Sequence, residues 1–249
     1  MNSEIVLFTM GKHLAAKYVD LKDLLVTQIL MNKSGRDPRF LEVGVLFGGY
    51  AIHVLLNSPN STVVGIDPFP GSEGPEIRNL MTGNLEQFGL QSRFRVFDTW
   101  DELEGSSERG PFTVIHIDGE HSETGTLNDL RAAANAISPD GVIVVDDWHH
   151  PMFPGVGSAM HQFMAEGDFR MFAITDRKAY LCRSEFHQEL QGDLVYALSQ
   201  TDTVEWWWEH GKVPKERERF ATNPDEELGH VASYSITNSV LGFPVMLIL

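Results

Sequence analysis

The sequence predicts an α/β protein: a doubly wound, mostly parallel sheet of seven strands with an antiparallel last hairpin and helices on both faces. Three observations predict it. From residue 40 onward, short apolar runs without a polar face alternate with helix-like windows, the pattern of parallel strands buried on both sides. Most of these runs close on an acid (Asp67, Asp98, Asp118, Asp146), at the strand ends where open sheets bind ligands. The last two runs are separated only by Arg177 and Lys178, a connection too short for a crossover, which forces a hairpin.

In chain order, residues 11–32 carry Leu14, Ala15, Tyr18, Leu21, Leu24, Leu25 and Ile29 at mixed three and four spacing, which reads as one or two amphipathic helices. They belong to an N-terminal helical extension, 1–35, that "NKSGRDPR" interrupts. The central domain, 36–184, carries the strands "FLEVG", "STVVGID", "RFRVFD", "FTVIHID", "GVIVVDD", "RMFAITD" and "AYLCR". Between them "YAIHVLLNS", "PEIRNLMTGNLEQFG" and "LNDLRAAANAIS" read as helices, each closed by Asn, Ser, Pro or Gly. Residues 185–249 lose the alternation and form a C-terminal extension. Its "KVPKERERF" reads as a solvated face. The cluster Trp206 to Trp208 reads as a lid over an acceptor or as an anchor for the extension or a homo-oligomer contact.

The composition narrows the function. With 249 residues, 42% hydrophobic and 22% charged, the chain has the make-up of a soluble globular protein. A formal net charge of −16 repels phosphate backbones and anionic lipid, so the expected partner is a small molecule or a cation, not nucleic acid or membrane. Cys182 is the only cysteine, and beside Leu181 it reads as a small buried residue. The start "MNSEIVLFTM" lacks a basic region and its apolar run is short. The expected location is cytoplasmic.

The turn after the first strand of the domain, "FLEVGVLFGGYA", places Glu42, Gly44 and Gly48 between a strand and a helix. Glycines there allow close backbone approach to a ligand, and the helix start offers free amides. An acid stands where the dinucleotide fingerprint has its first glycine, which disfavours a pyrophosphate and favours a ligand with a cationic amino group. Asp67, ending the next strand, can accept ribose hydroxyls. These residues resemble motif I and the following acidic motif of class I S-adenosylmethionine-dependent methyltransferases, a Rossmann-like superfamily. The resemblance implies S-adenosylmethionine as cofactor, with Glu42, Gly44 and Gly48 on its methionine side, Asp67 on the ribose, and Asp98 with Thr99 near the adenine.

Asp118 closes the fourth strand, and Asp146 with Asp147 closes the fifth. Neighbouring strand ends lie within about 5 Å, so the three carboxylates crowd together. A divalent cation relieves their repulsion, and an all-oxygen set favours Mg²⁺, Mn²⁺ or Ca²⁺, with Mg²⁺ the first expectation. "VIHIDGEHSETGTLNDL" and "ISPDGVIVVDDWHHPMFPGVGSAM" resemble the macrocin-type sugar O-methyltransferases and, more distantly, the catechol and caffeoyl-coenzyme A O-methyltransferases. That resemblance includes a Pro-Gly-Val loop at Pro154, Gly155 and Val156. It implies metal-dependent methyl transfer to a hydroxyl of a sugar or glycosylated small metabolite, in natural product biosynthesis. The alternatives are vicinal phenols as acceptor, or a protein that binds the cofactor without catalysis.

Two residues compete for the base that takes the acceptor's proton. Glu120 matches the second acid of the relatives' Asp-Gly-Asp, lengthened by one carbon. His121 matches the lysine base of the catechol enzymes, and its imidazole titrates near working pH. His149 and His150 are read as solvated loop residues with a lesser chance of orienting an acceptor. His116, inside an apolar run, reads as a hydrogen-bonded core residue.

Overall fold

The computed structural model describes residues 3–9, 21–33, 37–199, 201–210, 213–221, 230–231, 234–240 and 243–248. Strands β2 (Arg39–Val43), β3 (Thr62–Ile66), β4 (Phe94–Phe97), β5 (Phe112–Ile117), β6 (Ile137–Val145), β7 (Phe169–Ile174) and β8 (Ala179–Arg183) form the expected seven-stranded sheet. Their order is β7-β8-β6-β5-β2-β3-β4. β2 to β6 pair in parallel, while β8 runs antiparallel to both β6 and β7. The order reverses between β2 and β5, so the crevice at their carboxyl ends is the topological switch point.

Helices α1 (Leu21–Lys33), α2 (Gly49–Asn57), α3 (Gly74–Phe88) and α7 (His187–Ser199) pack with one face of the sheet around Phe40, Phe172 and Tyr180. Helices α4 (Trp100–Glu104), α5 (Glu123–Ala136) and α6 (Pro154–Ala165) pack with the other face around Leu41, Ile115 and Leu181. Side chains alternate across each strand, which is why adjacent Phe40 and Leu41 serve opposite cores. α3 ends on Gly89 at φ +68°, whose amide and that of Leu90 close onto Leu85, a glycine cap of the Schellman type.

Three local differences from the sequence reading have physical causes. α6 begins at Pro154, so Pro-Gly-Val is a helix start and not a loop; proline at the first helical position presets φ and lacks an amide that would be unpaired there anyway. β6 begins at Ile137, four residues ahead of "GVIVVDD", because Ile137 pairs with Phe112 across a register shift. In the N-terminal extension, Ser3–Thr9 is a strand, β1, and the helical pattern over 11–20 lies outside the described residues.

The C-terminal extension holds α7 and then strands β9 (Thr201–His210), β10 (Val213–Ala221), β11 (His230–Val231), β12 (Tyr234–Val240) and β13 (Phe243–Ile248). β9 lies between β1 and β10 in a second sheet, and β13 adds antiparallel to β7 at the edge of the main sheet. The side chains of Trp206 to Trp208 and of "KVPKERERF" lie outside the described residues. Among the described residues, no helix is long and apolar enough to cross a membrane.

Candidate active site

Hydrogen bonding continues one residue past each parallel strand and sets the site in a row. The Gly44 amide donates to Ile66 O (2.9 Å), Asp67 to Phe97 O (3.0 Å), Asp118 to Val43 O (2.8 Å) and Asp146 to Ile117 O (3.0 Å). The first residues after four strands therefore stand side by side at the switch point, as the sequence reading expected.

Gly44 has φ +84°, and a Cβ there would sit 2.0 Å from the Asp118 carbonyl oxygen. Only glycine lets the first loop cross the end of β5. Gly48, at φ +77°, is the N-cap of α2. Asp67 holds this loop: Oδ2 accepts from the amides of Val45 and Leu46, each at 2.9 Å, and Oδ1 from Phe69 at 2.7 Å. A carboxylate has about four acceptor positions, so one remains for a ligand while the loop is held. Sequence reading missed this pinning role, although the turn after β2 and the end of β3 had to be neighbours.

Glu42 is 3% exposed. Its Oε2 accepts from the Ala51 amide at 3.2 Å, and Oε1 lies 3.6 Å from His116 Nδ1. Burial, reinforced by Asp118, pushes its carboxyl well above the usual range. A cationic group seated against it would draw it back toward the carboxylate.

Asp98 pairs with Arg78 at 2.6 Å on the rim. The Thr99 hydroxyl, as N-cap of α4, accepts from the Glu102 amide at 3.3 Å, while the Glu102 carboxylate reaches back to accept from the Asp98 amide at 2.9 Å. Both residues thus shape the start of α4 at the end of β4. The next residue, Trp100, donates its indole N–H to Asp129 at 2.9 Å.

The three acids do meet, and two cations meet them. Lys178 is 3% exposed; its ammonium donates to Asp146 Oδ2 at 2.5 Å and lies 2.8 Å from His116 Nε2. Arg177 lies 3.2 Å from Asp147 Oδ1 and 3.7 Å from Asp146 Oδ1. Burial opposes the charge on Lys178, but Asp146 and neighbouring acids outweigh it and hold the pKa above its ordinary value. Burial likewise opposes charge on Asp146, yet Lys178, with Arg177 in support, holds its carboxyl far below the usual range. Burial, with Lys178 alongside, pushes His116 well below its ordinary value. The ring is therefore neutral, its Nε2 accepts from Lys178, and its Nδ1 carries the proton toward Glu42.

Sequence reading treated Lys178 and Arg177 as a hairpin connection only. The signal was present: β8 starts where β6 ends, with Val145 opposite Ala179, which sets Lys178 across from Asp146.

His121 Nε2 lies 3.4 Å from Asp118 Oδ1 and 3.5 Å from Asp147 Oδ2. The ring stacks on Phe153 at 4.2 Å, and Asp118 chiefly raises its pKa. One ligand atom from each of Asp118, His121 and Asp147 lies within 4.8 Å of the others, as does one from each of His116, Asp118 and Asp146. In the second group the Lys178 ammonium already bonds His116 and Asp146. In the first, His121 Nε2 is enclosed without a hydrogen-bond partner. Asp118 and Asp147 fit a hard cation, being neighbouring carboxylates, Asp118 partly exposed and Asp147 buried beside it.

Glu120 turns elsewhere. It is exposed, accepts from the Ser122 hydroxyl at 2.6 Å and folds over the first turn of α5 near Gly125. His149 stacks on Trp148, and His150 accepts from the Met152 amide at 3.3 Å and stacks on Phe153. Cys182 is buried as expected, its thiol pushed up to about 12 by burial. Glu42, Gly44, Tyr50, His116, Asp118 and Asp146 line one cavity of about 50 Å³, room for a water or a small polar end of a ligand.

Residues 41–148 match the model of a family described as a methyltransferase domain. No curated protein matches the chain. Among solved structures, an O-methyltransferase from Bacillus cereus in complex with SAH is similar with 20% identity and a TM-score of 0.54, over 67% of this chain and 81% of that one. A putative caffeoyl-CoA O-methyltransferase from Staphylococcus aureus gives 14% and 0.57, over 68% and 86%. CalS11, described as a TDP-rhamnose 3'-o-methyltransferase of calicheamicin biosynthesis, gives 17% and 0.50, over 68% and 81%. The chain thus shares the Rossmann-like fold of these structures, and its residues 41–148 are similar to a methyltransferase domain.

Proposed function

We propose that the chain transfers a methyl group from S-adenosylmethionine to a hydroxyl of a sugar or glycosylated small metabolite, with help from a divalent cation. One observation carries the reading: the glycine loop and the acid cluster share a cavity, lined by Glu42 and Gly44 from one side and by His116, Asp118 and Asp146 from the other. The methyltransferase domain match and the small-molecule O-methyltransferases among the structural neighbours support it.

S-adenosylmethionine supplies an electrophilic methyl on a sulfonium. Glu42 is suited to its ammonium group, the Gly44 loop to its methionine backbone, the remaining acceptor position of Asp67 to a ribose hydroxyl, and the rim at Asp98 and Thr99 to the adenine. Asp118 and Asp147 would hold a divalent cation, whose Lewis acidity would make a hydroxyl proton easier to remove. His121 is our choice of base, because its Nε2 faces the same acids while Glu120 is turned toward α5. The new C–O bond forms as the C–S bond breaks, and the chain's main task is to hold the reactants in line.

Calorimetry with S-adenosylmethionine and its demethylated product tests the cofactor. A panel of nucleotide sugars, glycosides and catechols, with Mg²⁺ and with EDTA, tests the rest. Methyl transfer to a sugar hydroxyl that stops on chelation is the expected result. A strict requirement for vicinal phenols would replace the acceptor, undiminished transfer after chelation would remove the cation, and cofactor affinity without any transfer would leave a binding protein.

A further inference from the structure

We propose that Lys178 is a built-in cation that keeps Asp146 out of the metal's ligand set, leaving Asp118 and Asp147 to hold a divalent ion loosely. This rests on the cation reading above and changes which residues carry it.

Both oxygens of Asp146 are engaged within the protein. The Lys178 ammonium has Asp146 Oδ2 at 2.5 Å, His116 Nε2 at 2.8 Å and the face of the Tyr50 ring at 5.1 Å. Asp146 Oδ1 accepts from the Asp147 amide at 2.8 Å, with Arg177 at 3.7 Å. A divalent ion on a remaining acceptor position of Asp146 would stand beside a buried ammonium, 3% exposed, whose like charge opposes it.

Asp147 differs from its neighbour in each respect. It turns at φ +52°, so its carboxylate leaves the strand end toward Asp118 and His121. Its cationic contacts among the described residues are Arg177, which is 43% exposed and can swing away into water, and the His121 ring at 3.5 Å. Asp118 is partly exposed and, among the described residues, His121 is its only cationic contact. Two carboxylates suit an ion that keeps several waters and completes its shell with substrate oxygens, as Mg²⁺ does. The predicted consequence is weak binding in the absence of acceptor, with Lys178 setting the weakness by occupying the third carboxylate.

The test is Mn²⁺ binding to the full chain, followed by the loss of the free-ion electron paramagnetic resonance signal, with thermal melts to verify folding. Asp147→Asn should weaken binding at least about tenfold. The double variant Asp146→Asn, Lys178→Met removes both charges together, so no orphan is left to unfold the site, and it should bind within about threefold of the parent. Lys178→Met alone releases Asp146 and should bind at least about threefold more tightly. A folded double variant that loses tenfold or more, or a folded Lys178→Met that binds no more tightly than the parent, overturns the proposal while leaving a cation site in place. A parent that takes up no Mn²⁺ at any accessible concentration removes the cation reading itself, and this proposal with it.

Discussion

On the β2–β3–β4 side of the switch point the site is held by backbone amides; on the β5–β6–β8 side it is held by ion pairs. The glycine loop hangs on Asp67 through the Val45 and Leu46 amides, each at 2.9 Å, while Phe69 fixes the other oxygen at 2.7 Å, and the loop presses its Gly44 turn against the Asp118 carbonyl. The acid cluster hangs on Lys178, Arg177 and His121. Amide contacts are short, directional and indifferent to pH near neutrality. Ion pairs respond to every change in charge, including arrival of a cation or loss of a proton. A cofactor pocket built the first way is preformed, and an acceptor pocket built the second way can be tuned.

The sharpest way to break this division is at Gly44, the point where the two sides touch. Gly44→Ala puts a Cβ 2.0 Å from the Asp118 carbonyl oxygen and forces a left-handed φ on an L residue. It should cost more than about 4 kcal/mol of stability and abolish cofactor binding, checked by denaturant unfolding and calorimetry. Parent-like stability would mean that the loop and β5 are not in contact. Asp67→Ala comes next. It leaves three amides, two of them in the glycine loop, without their acceptor, each worth about 1–3 kcal/mol when buried. It should therefore lose stability as well as at least about tenfold in cofactor affinity. Affinity lost without stability would make Asp67 a ligand residue only, and the preformed loop would fall.

On the ionic side the expected effect is kinetic. If His121 is the base it must be neutral to act, and Asp118 raises its pKa. Turnover should then climb as pH rises through a value above about 6.5, and His121→Ala should lose that limb and roughly a hundredfold in kcat. Glu120→Gln should keep the limb. The opposite outcome would return the role to Glu120. The same raised pKa contributes stability that is present below about 6.5 and is lost as pH rises through the folded value, so His121→Ala should also flatten the melting temperature over that window.

How much of this was legible follows from what each feature depends on. β2, β3 and β5 were readable because a strand buried on both faces reads as a mainly apolar run, and "FLEV" and "FTVIHI" are apolar but for Glu42, Thr113 and His116; β4, buried only at Phe94, was readable from its place ahead of Asp98. The row of acids was readable because parallel strands share a direction. Lys178 was not, because its meaning lies in a pairing register, Val145 with Ala179, and not in its own neighbours. Glu120 and His121 were inseparable in sequence because one rotamer choice divides them: Ser122, the N-cap of α5, draws Glu120 away, and the Phe153 ring brings His121 in.

The smallest expected effect lies at a carboxyl on the seam between the two sides. Asp129 on α5 accepts the Trp100 indole N–H from α4 at 2.9 Å, and its other oxygen would stand 3.3 Å from a Cβ on Gly119. Burial first, and Glu120 in support, raise its pKa to about 6 against the pull of the Trp100 bond. A carboxyl with a raised folded pKa contributes stability that is complete below its unfolded value of about 3.9 and is lost as pH climbs through about 6. At neutral pH the ionised Asp129 is thus a cost to the fold. Asp129→Asn keeps an oxygen for Trp100 and removes the charge. It should raise stability at about pH 8 by something on the order of 1–3 kcal/mol and change nothing near pH 4. Melting curves of parent and variant should therefore diverge with rising pH and meet in acid. If they run parallel, Asp129 ionises freely, and the seam between the amide-held and ion-held sides is wetter than its packing indicates.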